Sequence, residues 1–280
     1  MPRTADLSHL LKLLDDESPV VRDAVRKELA AMRRELPERL LALPVPLDGQ
    51  QERLLAEILT PVCREDLEET WLAWRWLSTP EARLEEALSQ ISAFLSGWHA
   101  HCEEMSRQLD VLAEIALNDG CGDDARKLSE FLFGGRGTEA RLRGNSAEYY
   151  AANNSNLFWV LEKGLGNPIS LCCIFILIGR RLGIHIEGCN FPGHFLARVV
   201  QDGRVWLVDC FNRGRFMLSE DVARHHPAAN PSMDEIIHES ASVETIIARV
   251  LRNLDEACER ENNMPRRQVV RRLMLKLMEE

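Results

Sequence analysis

The chain has 280 residues, 45% of them hydrophobic and 28% charged, with a formal net charge of −10. The length suits one large domain or two modest ones, and the composition is that of an ordinary globular fold. The acidic balance argues against a general affinity for nucleic acid or an anionic membrane. The most apolar run, residues 169–178, is far too short to cross a bilayer.

From the amino end, residues 7–43 read as two amphipathic helices divided by Asp15-Asp16-Glu17-Ser18. Ser18 is placed to cap the second, with Pro19 at its first position. Such a pair cannot bury its own apolar face, so it must pack on the rest of the chain. Pro44-Val45-Pro46-Leu47-Asp48-Gly49 reads as a linker. Helical spacing resumes over 51–77 and 80–98, and Trp71, Trp74 and Trp76 in the first stretch predict an aromatic contribution to the core. A helix over 99–117, a turn at 119–124 and a helix over 125–133 follow. WHAHCEE brings His99, His101 and Cys102 together, but positions two apart on a helix do not share a face, so solvated histidines are expected and no metal site. His225-His226 falls in a predicted loop with nothing converging on it. The glycine- and arginine-rich GGRGTEARLRG, 134–144, lacks the strand-to-helix context of a phosphate loop and reads as a mobile connection.

Beyond Tyr149 the pattern changes. GNPISLCCIFILIGRRLG, 166–183, is a punctuated helix: Asn167 suits the N-cap, Pro168 the first position, Arg180 and Arg181 the carboxyl end, and Gly183 a left-handed cap. Its interior is apolar nearly all round, which implies a buried central helix. The β pattern follows in GIHIEGCNF, in FPGHFLARVVQDGRVWLVDCF and in RFMLSEDV. Asp202-Gly203 is a two-residue hairpin signal. With that turn, Gln201 lies opposite Arg204, Leu196 opposite Asp209 and His194 opposite Phe211. His194, Leu196 and Asp209 then share a face, and His194 is the diagonal neighbour of Asp209. A carboxylate there can orient an imidazole and stabilise its protonated form. Pro192-Gly193 supplies a bend that delivers His194.

From Ser242 the chain is helical again. RRQVVRRLMLKLMEE is a basic amphipathic helix, packed through Val269, Val270, Leu273 and Leu277. Its Arg266, Arg267, Arg271, Arg272 and Lys276 are suited to an acidic partner or to acidic groups of the same fold. Eight cysteines, at 63, 102, 121, 172, 173, 189, 210 and 258, are scattered with no CxxC and no secretory leader at Met1. They predict reduced thiols in a cytoplasmic protein.

A helix start aimed at a His–Asp pair is where a cysteine nucleophile is expected, because the dipole lowers the thiol pKa. Here the start carries Pro168, Ile169 and Ser170, and Cys172 and Cys173 come a turn later. The stretches NSNLFWVLEKGLGNPISL, RRLGIHIEGCNFPGHFLARV, VWLVDCFNRG and IIARVLRNL resemble, in order, the SirB-type branch of the transglutaminase-like superfamily, over residues 153–254. DDESPVVRDAV is similar to a HEAT-type helical repeat. The resemblance implies an α+β fold: a helical region over 1–145, HEAT-like at its start; a papain-like core over 146–240, with a central helix on an antiparallel sheet; and helices over 241–280 packing on that core.

In catalytic members of the superfamily a Cys, a His and an Asp form the triad. The histidine carries over to His194 and the acid to Asp209, while the cysteine's place, near Pro168, holds the PISL pattern of the branch. The leading expectation is a non-catalytic, protein- or peptide-binding or regulatory module. The alternative is a cysteine- or serine-dependent amide-processing enzyme in which Cys172 or Ser170 attacks a carbonyl, His194 acts as general base and acid, and Asp209 orients it. No cofactor or metal is called for.

Overall fold

Asp202 and Gly203 both have positive φ, 53° and 69°, the type I′ geometry whose twist matches that of the flanking strands. This turn fixes the sheet. The computed structural model describes residues 7–32, 35–41, 43, 47–97, 102–134, 140–225 and 232–279. His99, His101, His226, residues 44–46 of the linker and 135–139 of the glycine-rich connection lie outside them, as do the side chains of Cys63 and Cys102.

The amino half is built of helices: α1 (Leu7–Lys12), α2 (Pro19–Ala31), α3 (Leu36–Leu41), α4 (Gly49–Thr70), α5 (Pro80–Ser96), α6 (Cys102–Asn118) and α7 (Ala125–Phe133). Ser18 stands at the N-cap of α2, yet its side chain makes no capping bond. Asp16 Oδ1 accepts the N–H of Ser18 itself, at 2.9 Å. Leu7, Leu10, Leu29 and Leu36 bury against Leu55 and Leu59 of α4 as a separate small cluster, so the first helices find their cover on the start of α4. Beyond Thr70 the chain tightens into a 3-10 turn, Trp71–Trp76. Its three-residue period puts Trp71 and Trp74 on one buried face and turns Trp76 outward, 90% exposed. Trp76 is therefore not part of the core.

The second half contains β1 (Arg143–Gly144), α8 (Leu157–Lys163), β2 (Leu165–Gly166), α9 (Pro168–Arg181), β3 (Glu187–Cys189), β4 (Leu196–Gln201), β5 (Arg204–Asp209), β6 (Arg215–Leu218), α10 (Ser219–His225), α11 (Ser232–His238), α12 (Val243–Arg260) and α13 (Met264–Met278). The sheet order is β3-β4-β5-β6, all antiparallel, with Gln201 opposite Arg204 and Ala197 opposite Val208. That is the register the turn predicts. β1 and β2 add a two-residue parallel pair that nothing in the connection's composition announces.

Every residue of α9 from Pro168 to Gly179 is buried. The helix touches α5, α6, α7 and α8 as well as β3 and β4. Its end closes as the Arg-Arg-Leu-Gly pattern predicts: Gly183 has φ +75°, and the N–H groups of Gly183 and Ile184 return to the carbonyls of Arg180 and Gly179 at 3.1 and 2.8 Å. Arg181 is fastened by Glu85 and Asp110, at 2.8 and 2.6 Å. One buried cluster runs from Leu67 to Leu277 and contains α9. The basic face of α13 meets acids of the same fold: Arg267 and Arg271 pair with Asp255 at 2.9 Å, Arg272 pairs with Glu68 at 2.6 Å, and Lys276 donates to the Glu68 carbonyl. Among the described residues no helix is long and apolar enough to cross a membrane.

Candidate functional site

The bend before β4 is built from Phe191, Pro192 and Gly193, the last at φ +75°. The His194 N–H returns to the Phe191 carbonyl at 3.3 Å. From α12, Arg249 Nη1 donates to Asn190 Oδ1 at 2.6 Å and to the Phe191 carbonyl at 2.8 Å. The bend is thus clamped from a helix 58 residues away in sequence. It sets His194 Nε2 2.8 Å from Asp209 Oδ1.

Asp209 has further partners. Its Oδ1 accepts the Asn212 N–H at 3.1 Å and its Oδ2 accepts from Asn212 Nδ2 at 2.8 Å. Burial pushes this carboxyl up, but the bonds from His194 and Asn212 outweigh burial and hold it below its ordinary value. With Nε2 taken by the acid, Nδ1 is the ring nitrogen left for other chemistry. Phe211 meets the imidazole edge-on, at 6.2 Å between centroids and 86°. Behind Phe211 lies Gly144, where an added Cβ would come within 2.7 Å of the phenyl ring. Gly144 pairs with Gly166, the residue before the Asn167 cap of α9. A chain of close contacts therefore leads from the imidazole to the start of the buried helix. Gly193 and Asn167 line one small pocket of about 210 Å³ together with Tyr149, Asn253 and Glu256.

At the helix start the polar groups are already committed. Ser170 N–H donates to Asn167 Oδ1 at 2.9 Å, while Ser170 Oγ accepts the Asn167 N–H at 3.1 Å and donates to the Asn167 carbonyl at 3.0 Å. This reciprocal capping box occupies the hydroxyl, which is 1% exposed as a residue. Cys172 sits beneath, fully buried, its Sγ 3.6 Å from the Phe195 carbonyl. Burial, with a hydrogen bond to Cys210 in addition, pushes its thiol well above the ordinary value. Burial likewise pushes Cys189 up to about 12. The six cysteines with described side chains are all free and buried, and such thiols are inert. Among the described residues the His194 ring makes no hydrogen bond to a hydroxyl or sulfur. Nor does any group of three potential metal ligands occur among them.

On the other flank of His194 lies a groove of about 840 Å³. Leu196, Met217 and Val222 give it an apolar lining, the His194–Asp209 pair stands in one wall, and Arg215 of β6 stands beside Asp209 as its register partner. Sequence reasoning brought His194 and Asp209 together and set Phe211 opposite His194, but missed Asn212, Arg249 and Tyr149. Asn212 had a local signal, an amide three residues after the acid in DCFNRG. The others meet through distant contacts that no spacing encodes.

The fold and this site together define a class: an α+β protein whose buried central helix backs an antiparallel sheet and starts beside a His–Asp pair. Residues 88–252 match the transglutaminase-like superfamily, and the chain belongs to it. It is 44% identical over 117 residues to a UPF0162 protein of Xylella fastidiosa strain Temecula1, covering 40% of this chain and 42% of the relative. It is also similar to F-box only protein 21 of Mus musculus, at 27% identity over 135 residues, which cover 44% of this chain and 20% of that protein. The matched stretches thus span less than half the length of these relatives. No solved structure matches the chain.

Proposed function

We propose that this chain is a binding module of the SirB-type branch of its superfamily, in which His194 and Asp209 help hold a protein or peptide ligand and no nucleophile processes it. The observation that carries the reading is the capping box: the hydroxyl nearest the helix start is spent on Asn167. The nearest thiol, Cys172, is buried and held protonated. Recurrence of the same stretch in bacterial UPF0162 proteins and in a mammalian F-box only protein supports a transferable module. Six free cysteines support a reducing, cytoplasmic setting. The helical flanks over 1–145, HEAT-like at the start, and 241–280 add interaction surface.

Titration of end-blocked peptides, followed by the ring signals of His194, tests this. Saturable shifts without product release are expected, with weaker binding in His194→Ala. Turnover that His194→Ala removes would overturn the reading.

One observation favours the rival, an amide-processing enzyme using Cys172 or Ser170: Nε2 on the acid leaves Nδ1 oriented for general-base work. A thiol-directed probe near neutral pH, together with Ser170→Ala, discriminates. Selective labelling of Cys172 that His194→Ala abolishes, or turnover lost in Ser170→Ala, supports the enzyme.

A further inference from the structure

β6 is an edge strand. It pairs with β5, and no further strand lies on its other side among the described residues. Which of its groups face outward follows from the turn. A two-residue hairpin makes Gln201 and Arg204 a hydrogen-bonded pair. The pairs then alternate, so Trp206 and Val208 bond toward β4 while Leu207 and Asp209 bond toward β6. Met217 and Arg215 take those bonds. Phe216 therefore turns both N–H and C=O away from the sheet, and Leu218 turns its N–H away, while the Leu218 carbonyl lies at the start of α10. All four residues of β6 line the 840 Å³ groove, which thus runs along this open edge and reaches His194.

The edge is also basic, in a chain of net charge −10. Arg126 of α7 lies over the rings of Trp206 and Phe216, 4.3 Å from each centroid. Arg213 and Arg215 stand in and after the turn entering β6. Among the described residues no acidic side chain pairs with any of the three guanidiniums. The two acids lining the groove are occupied, Asp209 by His194 and Asn212 and Asp221 by an interaction of its own. Adding a second copy at this edge would bring two such sets of cations together, which like-charge repulsion disfavours.

We propose that β6 receives an extended acidic peptide of a partner protein, which joins the sheet as a fifth strand. Its backbone bonds to the N–H and C=O of Phe216 and to the Leu218 N–H, an apolar side chain enters the groove over Leu196 and Met217, and flanking carboxylates meet Arg215 and Arg126. Main-chain pairing supplies affinity, and alternate side chains supply selectivity. This deepens the binding-module reading by naming the ligand's form and charge.

The test uses the full chain and the end-blocked probe Glu-Val-Glu-Leu-Glu-Val-Glu. Three readouts are taken: anisotropy, amide exchange of Phe216 and Leu218, and the His194 ring signals. The probe is expected to slow both amides. A version with lysine in place of glutamate, and one N-methylated on the residues facing β6, should each bind about tenfold more weakly or worse. Arg215→Glu, at an exposed position, should weaken the acidic probe about tenfold and improve the basic one. Equal binding of the N-methylated probe, or unprotected amides, overturns strand addition. If His194 shifts while both amides stay unprotected, strand addition fails and the binding-module reading stands. If both amides are protected while His194 stays unmoved, strand addition holds and the role given to His194 falls. Protection that grows with protein concentration alone overturns the proposal in favour of a second copy.

Discussion

Replacing Ser170 with alanine separates a capping role from a catalytic one. The hydroxyl accepts the Asn167 N–H at 3.1 Å in a place where Ser170 is 1% and Asn167 5% exposed. Without it that N–H has no acceptor and little water. The cost of such a buried, unsatisfied donor is about 1–3 kcal/mol. The Asn167 carbonyl is not orphaned, because it still accepts from Leu171 N–H at 3.2 Å. Alanine's better helix propensity returns about 0.5 kcal/mol. The net expectation is a loss of about 1.5 kcal/mol, or about 3–6 °C in Tm at the scale of a 150–250-residue unit. Tryptophan fluorescence in urea is the assay. Every tryptophan lies beyond residue 70, so the signal follows the main core and is blind to the small cluster of α1 to α4. The midpoint should fall with the slope unchanged. A change below about 0.5 kcal/mol, the size of an uninvolved substitution, would refute the capping assignment.

Three further outcomes follow from the same contacts. Asp209 has a folded-state pKa below its ordinary 3.8, so its stabilisation is full above that value and is lost as the pH falls through the folded one; acid unfolding should show a smaller acid-dependent loss in Asp209→Asn than in the wild type. Gly144→Ala drives a methyl to 2.7 Å from the Phe211 ring and should cost about 1–3 kcal/mol in the same fluorescence assay and move the His194 ring signals, whereas Gly49→Ala, with nothing within 4 Å, should do neither. Arg181→Met strands Glu85, whose side chain is 16% exposed, and should cost about 2–4 kcal/mol, partly recovered in the double variant Arg181→Met/Glu85→Leu, as thermal melts would show.

What the sequence made legible was local. Asp202-Gly203 can hardly be read as anything but a turn, and once it is placed, strand alternation brings His194 to Asp209. Asn167, Pro168 and Gly183 mark the ends of α9 because caps are written in the residues that make them. Less legible were choices between local partners. Ser18 suits an N-cap, but its side chain makes no capping bond, and its own N–H goes to Asp16 two residues earlier. Trp76 fits an α-helical stripe, but the chain tightens to a 3-10 turn there and exposes it. Ser170 looked like a candidate nucleophile because spacing gives a position and not whether the hydroxyl is already bonded. Least legible were contacts between segments far apart, such as Phe211 on Gly144 and Arg249 on the Phe191 carbonyl, where neither residue's neighbours hint at the other.

The family match, residues 88–252, reaches well outside the sheet that carries His194, as do the contacts that hold the site. The loop presenting Tyr149 to Phe211, at 5.7 Å, is held inside by the buried Asn145–Asn154 bond of 2.9 Å. It is held outside by α5 and by the α12 end. Ser92 Oγ takes the Leu157 N–H at 2.9 Å, and Ser96 Oγ accepts from Asn156 at 2.8 Å. Glu261 takes the Ala152 N–H at 2.7 Å. Each is a polar group that would be stranded without its partner, and Arg249 does the same for the bend before His194. The imidazole and its acid come from one hairpin, but their fixed geometry is a property of helices from both sides of it.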